Sequence, residues 1–207
     1  MATHDESEEK TVGWDAIDAA ADAIYGDQEP QHYAPKLYYA LGGEDPLDGI
    51  SIYNDEKNKC YHYVTYGFTE LYDKENDDPE VSGFGFELTF RLKYTRASET
   101  YPVWPVNLLQ NIAKVTFGKG LVFDEFQTLT SGPIRLDPTT DITNILFVLD
   151  PQLGEVTTEN GAFKFLQIYG LTSAEAQQIK DKTIDRREMM ADLQKTNPLY
   201  ITDVERN

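Results

Sequence analysis

Apolar residues first recur at helical spacing in Trp14, Ile17, Ala21, Ile24 and Tyr25, so one face of a helix is destined for burial. Gly26 follows where a left-handed C-terminal cap is expected and stops that helix. A turn-rich stretch, Leu41-Gly42-Gly43-Glu44-Asp45-Pro46-Leu47-Asp48-Gly49, leads into a short strand at residues 50–53. The period then changes to two. Phe84, Phe86, Leu88, Phe90, Leu92 and Tyr94 alternate with Gly85, Glu87, Thr89, Arg91 and Lys93. This pattern predicts a strand at 84–94 with one face on a core and the other in solvent, as in an antiparallel or mixed sheet. A second, aromatic-rich strand is expected at 61–66, ended by Gly67. Between the two lies 73–80, with five acids and Pro79 among its eight residues, which reads as an exposed loop.

Pro105 opens a second helix, where its missing N–H costs nothing; Leu108, Leu109, Ile112 and Ala113 form its buried stripe and Gly118 closes it. Residues 144–149 read as a strand before a turn at Asp150-Pro151-Gln152-Leu153-Gly154. Asn160-Gly161, flanked by Val156-Thr157 and the apolar 163–169, is the strongest hairpin signal. Thr172 and Glu175 make a capping-box pattern that starts a final surface helix running to about Gln194. Strands and helices do not alternate regularly. The expected class is therefore α+β, a single mixed, largely antiparallel sheet with packed helices. The expected boundaries are a disordered acidic tail at 1–10, one domain at 11–195 and a C-terminal tail at 196–207.

Composition narrows the functions. The 207 residues carry 36 acids against 18 Lys and Arg, a net charge of −18. Such a surface repels nucleic acid and anionic membranes, whose phosphates are bound by Lys and Arg. It attracts and steers a basic protein partner, although acidity also serves solubility. A single cysteine, Cys60, excludes an intrachain disulfide and a multi-cysteine zinc site. The first ten residues contain no apolar run resembling a signal or transit peptide, so the expected location is cytoplasmic.

Candidate chemistry is sparse. His32 and His62 are the only histidines beyond the N-terminal tail, and no G-x-S-x-G elbow accompanies them. Cys60 and His62, two residues apart on a strand, share a face and read as a structural pair. Gly83-Phe84-Gly85 and Gly118-Lys119-Gly120 lack the spacing of a dinucleotide fingerprint or a P-loop. Glu44, Asp45 and Asp48 lack the calcium-loop pattern. No metal or cofactor is expected. One enzymatic alternative stays open: a hydrolase using His62 with carboxylates of the 73–80 loop. The other prominent signal is aromatic, with 13 Tyr and 10 Phe. Tyr61, Tyr63 and Tyr66 share a strand with His62, and tyrosine is enriched in protein-binding hot spots.

Several strings resemble the Suppressor of fused family. They are Tyr-Gly-Asp-Gln-Glu-Pro-Gln-His-Tyr at 25–33, Leu-Gly-Gly-Glu-Asp-Pro-Leu-Asp-Gly-Ile-Ser-Ile-Tyr at 41–53 and His-Tyr-Val-Thr-Tyr-Gly-Phe-Thr-Glu-Leu-Tyr at 62–72. Ser-Gly-Phe-Gly-Phe-Glu-Leu-Thr-Phe-Arg-Leu-Lys at 82–93, Leu-Leu-Gln-Asn at 108–111 and the Asp-Pro-Gln-Leu-Gly segment with Phe-Leu-Gln-Ile-Tyr-Gly-Leu-Thr, at 150–172, continue in the family's order. The resemblance implies a mixed α/β domain without known catalysis, similar to the family's first, N-terminal domain. In animals that family sequesters Gli transcription factors, a short peptide adding as a strand between two domains. Short members resemble a bacterial branch proposed as immunity proteins that neutralise toxins. Carried over by motif, the partner contacts fall on Tyr63 and Asp73, with His62 and Tyr66 beside them. Two departures stand near them: Tyr61 where the family often has Trp, and Asp124-Glu125-Phe126 where Gly-His is expected. A protein scaffold is the other non-enzymatic reading.

Overall fold

The computed structural model describes residues 10–206. In chain order its elements are α1 (Val12–Tyr25), β1 (Gln31–Tyr33), a 3-10 turn (Tyr39–Leu41), β2 (Gly49–Asp55), β3 (Cys60–Tyr66) and β4 (Val81–Lys93). Then come α2 (Trp104–Lys119), β5 (Thr128–Thr130), β6 (Ile142–Leu149), β7 (Glu155–Thr158), β8 (Gly161–Thr172), α3 (Ser173–Lys180) and α4 (Arg186–Gln194). The strands form one sheet in the order β1-β2-β3-β4-β8-β6-β5, with β7 folded onto β8. Among the described strands, only β4 and β8 pair in parallel. The class is α+β.

Helix α2 covers one face of the sheet. Its Leu109, Ile112 and Ala113 pack on Phe86, Leu88, Phe90 and Leu92 of β4 and on Tyr61 and Tyr63 of β3. The opposite face carries two helical units. Ile17 and Ala21 of α1 pack on Tyr53, Val64, Tyr66 and Phe165. The α3–α4 pair packs on Leu146, Val148, Tyr169 and Leu171, with Met190 at its centre. Most elements form where the sequence pattern predicts them. The Asn160-Gly161 turn closes the β7–β8 hairpin, and Thr172 and Glu175 form the reciprocal capping box.

Four expectations change. Glu87, Thr89 and Arg91, the polar face of β4, are fully buried rather than solvated, because both faces of the sheet are covered. The final helix is two helices, broken before Asp185, whose side chain caps α4 by accepting from Arg187 N and Glu188 N. Helix α2 ends at Gly120, in the left-handed conformation, rather than at Gly118. The expected C-terminal tail is part of the domain. Thr202 bridges Leu92 in parallel, its hydroxyl accepts from Gly170 N at 3.0 Å, and Val204 is buried. The expected N-terminal tail lies outside the described residues except for Lys10, which pairs with Glu159 at 3.1 Å.

Candidate functional site

The sequence points to one neighbourhood, His62 to Asp73, and the structure divides it in two. Strand β3 is central, held by β2 on one side and β4 on the other. His62, Tyr63 and Tyr66 are buried. The Tyr63 hydroxyl donates to Pro102 O at 2.8 Å and that of Tyr66 to Asp18 at 2.8 Å. These tyrosines face the two cores, each satisfying its hydroxyl internally. The resemblance left open whether this strand is an edge; it is central, and the Tyr63 and Tyr66 rings have no free face. Asp73 alone of the four is at the surface.

His62 belongs to a polar cluster between α1 and the α3–α4 pair. Its Nε2 lies 3.2 Å from Asp150 Oδ2, and its Nδ1 shares a hydrogen bond with the Tyr25 hydroxyl at 2.7 Å. Arg91 grips the same carboxylate through Nη1 at 2.6 Å and Nη2 at 3.2 Å. It also donates to Gln152 at 2.9 Å and to Gln167. Gln167 in turn donates to Leu199 O at 2.7 Å and Tyr200 O at 2.8 Å, tying the C-terminal segment to the sheet. Thr89 Oγ1 donates to Asp150 at 2.8 Å. Burial works against a charged Asp150, yet Arg91 and His62 hold its carboxyl well below the usual range. Burial, reinforced by repulsion from Arg91, pushes His62 down to about 4. A His–Asp pair is a familiar acid–base unit, but here the ring is fully buried, with Nδ1 bonded to Tyr25 and Nε2 beside Asp150 without a well-directed hydrogen bond. The 73–80 carboxylates make no hydrogen bond or ion pair with it among the described residues. The hydrolase reading thus loses the constellation it named. Cys60 is equally inert, its thiol pushed up to about 12 by burial.

This cluster has a measurable pH signature. An unfolded His titrates near 6.5, so as pH falls from about 6.5 to about 4 the unfolded chain takes up a proton that folded His62 refuses. Stability falls over that window by about 3 kcal/mol. Buried Glu87 acts in the opposite sense. Burial raises it to about 7 even though Thr65, Thr69 and Gly67 donate to it, so the folded state binds a proton first and gains stability from about pH 7 to 4.5. The two slopes nearly cancel in the parent protein. Urea unfolding of Glu87→Gln should expose a loss of about 3 kcal/mol between pH 7 and 4.5, while His62→Gln should become more stable on acidification. Parallel pH profiles for the two variants would contradict these assignments.

Asp73 opens onto a groove of about 620 Å³. Its walls come from the 3-10 turn (Tyr39), the β3–β4 connection (Gly67 to Asn76), the start of β4 (Phe84) and Phe117 of α2. Phe117 meets Phe84 at 5.0 Å and Tyr39 at 5.7 Å between ring centroids, both edge-to-face. Tyr39 and Tyr72 are 45% and 39% exposed, large surfaces left to solvent. The charges lining the groove are Asp48, Glu70, Asp73 and Glu75, with no Lys or Arg among them.

The loop carrying Asp73 is firmly placed. Glu70 accepts from Glu75 N at 2.7 Å, Asn76 N at 2.6 Å and Lys74 Nζ at 2.9 Å. These donors outweigh the burial that opposes them and hold its carboxyl below the usual range. Asn160 of the β7–β8 turn donates to Glu70 O at 3.2 Å and Tyr72 O at 2.8 Å. Gly83, at φ 55°, lets β4 pass beside the loop; a Cβ there would stand 2.4 Å from Phe68 O. An acidic, aromatic groove on a braced loop is suited to cationic and aromatic side chains. Sequence reasoning reached Asp73 through the family resemblance but missed Tyr39, Asp48 and Phe117 as its neighbours, which only the fold brings to the same place.

A family model described as Suppressor of fused protein (SUFU) matches residues 43–207. The Suppressor of fused homologs of Homo sapiens and Mus musculus are each 33% identical over an alignment of 177 positions that covers 79% of this chain and 36% of theirs. The chain thus spans about a third of the length of these curated relatives. Among solved structures, one from the Sufu-Fu complex has a TM-score of 0.85 at 29% identity, covering 96% of this chain and 92% of its own. Drosophila Suppressor of Fused gives 0.84 at 28% identity, over 96% of this chain and 51% of its own. A SUFU homolog from Neisseria gonorrhoeae shares the fold, with a TM-score of 0.63 at 12% identity, over 93% and 94% of the two chains.

Proposed function

The chain belongs to the Suppressor of fused family, and from that premise we propose that it is a cytoplasmic, non-enzymatic binding domain that sequesters a protein partner. The observation that carries this reading is the groove beside Asp73, where aromatic faces and four carboxylates meet without a lining cation. A basic partner segment would place its cations there, over Tyr39 and Tyr72 and against Asp73 and Glu75. Asp73 makes direct contact, whereas His62, Tyr63 and Tyr66 hold the sheet beneath it. The relative solved as a Sufu-Fu complex supports a protein as the partner class.

The finer reading is neutralisation. A basic toxin, such as a nuclease, binds its own target through Lys and Arg, and covering that surface would silence it. The net charge of −18 supports this by steering the approach. Recovery of partners on the immobilised domain from its native cells tests the proposal. One basic protein should be retained at low salt, and its association rate should fall steeply as salt rises. Retention of only acidic proteins, or an association rate indifferent to salt, would contradict it.

A further inference from the structure

A second groove system, opposite in charge, lies at the far edge of the sheet. Among the described residues, strand β5 pairs only with β6. Phe147 N donates to Gln127 O at 3.0 Å and Ser131 N to Thr143 O at 3.1 Å, so the backbone groups of 127 and 131 face inward. Antiparallel alternation places Leu129 in the same set and turns the N–H and C=O of Thr128 and Thr130 outward, toward no strand. This is a short, free edge of the kind that accepts an added strand.

Each side of that edge opens into a groove. On the α3–α4 side a groove of about 580 Å³ is lined by Thr128, Thr130, Asn144, Gln177, Lys180 and Arg186, among others. Among the described residues, Lys180 and Arg186 are the only charged ones lining it, and neither forms an ion pair. On the α2 side a groove of about 690 Å³ is mainly apolar, lined by Leu108, Ile112, Leu129 and Leu136 among others, with Arg135 and Asp137 its charged lining residues. Leu136 is 80% exposed.

We propose that the β5 edge is a second docking site, which takes an extended segment of a protein partner in which acidic and apolar residues alternate. The period of two in a strand sends successive side chains to opposite faces. A segment hydrogen-bonded to Thr128 and Thr130 would therefore direct acids toward Lys180 and Arg186, and apolar side chains over Leu129 and Leu136. Charge complementarity favours this occupant: the charges lining this groove are both cations, and neither has an ion pair among the described residues. Screening over roughly 8 Å at physiological salt lets these local contacts outlast the general repulsion. The site stands apart from the Asp73 groove in place and in sign.

Fluorescence anisotropy with a labelled Thr-Val-Glu-Val-Glu-Val-Thr peptide tests the proposal. Saturable binding is expected, weakened about tenfold or more by Lys180→Glu with Arg186→Glu, since an interfacial charge contact is worth about 1.4 kcal/mol or more. Both residues are exposed, so the fold should survive their reversal. Thr130→Pro removes an outward N–H without touching the β6 ladder and should weaken binding independently. A peptide with Lys in place of Glu, and one of the same composition with its valines in a block, should bind at least tenfold less. The proposal fails if the alternating peptide does not bind, if either control peptide binds as tightly, or if the double charge variant keeps full affinity. It also fails if sedimentation shows that β5 edges of two copies pair with each other.

Discussion

Arg91→Leu is expected to cost the domain about 3–5 kcal/mol, because it leaves the Asp150 carboxylate buried without its cation. Nothing else in the cluster can replace that charge. His62, the other ionisable neighbour, is neutral at pH 7, and the hydrogen bonds from Thr89, Gln152 N and Leu153 N solvate but do not neutralise. A loss of this size removes a large part of the 5–15 kcal/mol that holds a typical domain together. It should lower Tm by roughly 6–20 °C for a chain of this length. Arg91→Leu combined with Asp150→Asn should recover part of the loss, since the amide oxygen still accepts from the turn while the lone charge is gone. Urea unfolding of the three variants at pH 7 checks this. A single variant losing less than 1 kcal/mol, or a double variant worse than the single, would show that the pair is not the keystone of this face.

Reversing the groove, with Asp73→Lys and Glu75→Lys together, is expected to weaken capture of a basic partner by about 10–100-fold while leaving the fold intact. Both side chains are exposed, and like charges at an interface cost several kcal/mol when juxtaposed. The urea midpoint should remain within about 0.5 kcal/mol of the parent protein, as befits surface positions. Tyr63→Phe serves as the contrasting variant. It removes a hydroxyl bonded to Pro102 O and should cost about 1 kcal/mol of stability with no direct effect on capture. Equal weakening by both substitutions would mean that capture follows stability rather than the groove.

The sequence pattern located β2, β3, β4, α2 and the β7–β8 hairpin because each announces itself locally, by period or by turn residues. It failed on the second face of β4, where alternation between Phe90, Arg91 and Leu92 reads as half-exposed. Period shows which positions differ from their neighbours, not whether the polar set meets water or buried partners. Arg91 on β4, Gln167 on β8 and Asp150 just after β6 are brought together only by the order β4-β8-β6. The C-terminal segment was misread as a tail for a similar reason, since the groups that hold it, Gln167 and Gly170, are on β8. Tyrosine density does not by itself separate surface from core, and Tyr63 and Tyr66 are core residues with internal acceptors. The acid-rich loop was legible because five charges in eight residues have nowhere to go but solvent. The aromatic wall opposite it was not, being built from Tyr39 and Phe117, nearly eighty residues apart.

Hydrogen exchange of the domain, free and bound to the basic partner it captures, tests most directly whether the Asp73 groove is the docking surface. Slowed exchange should concentrate in the 70–76 loop, at Phe84 and around Tyr39, with central β3 already protected in the free protein. Protection confined to other surfaces, with the 70–76 loop exchanging at its free rate, would contradict it.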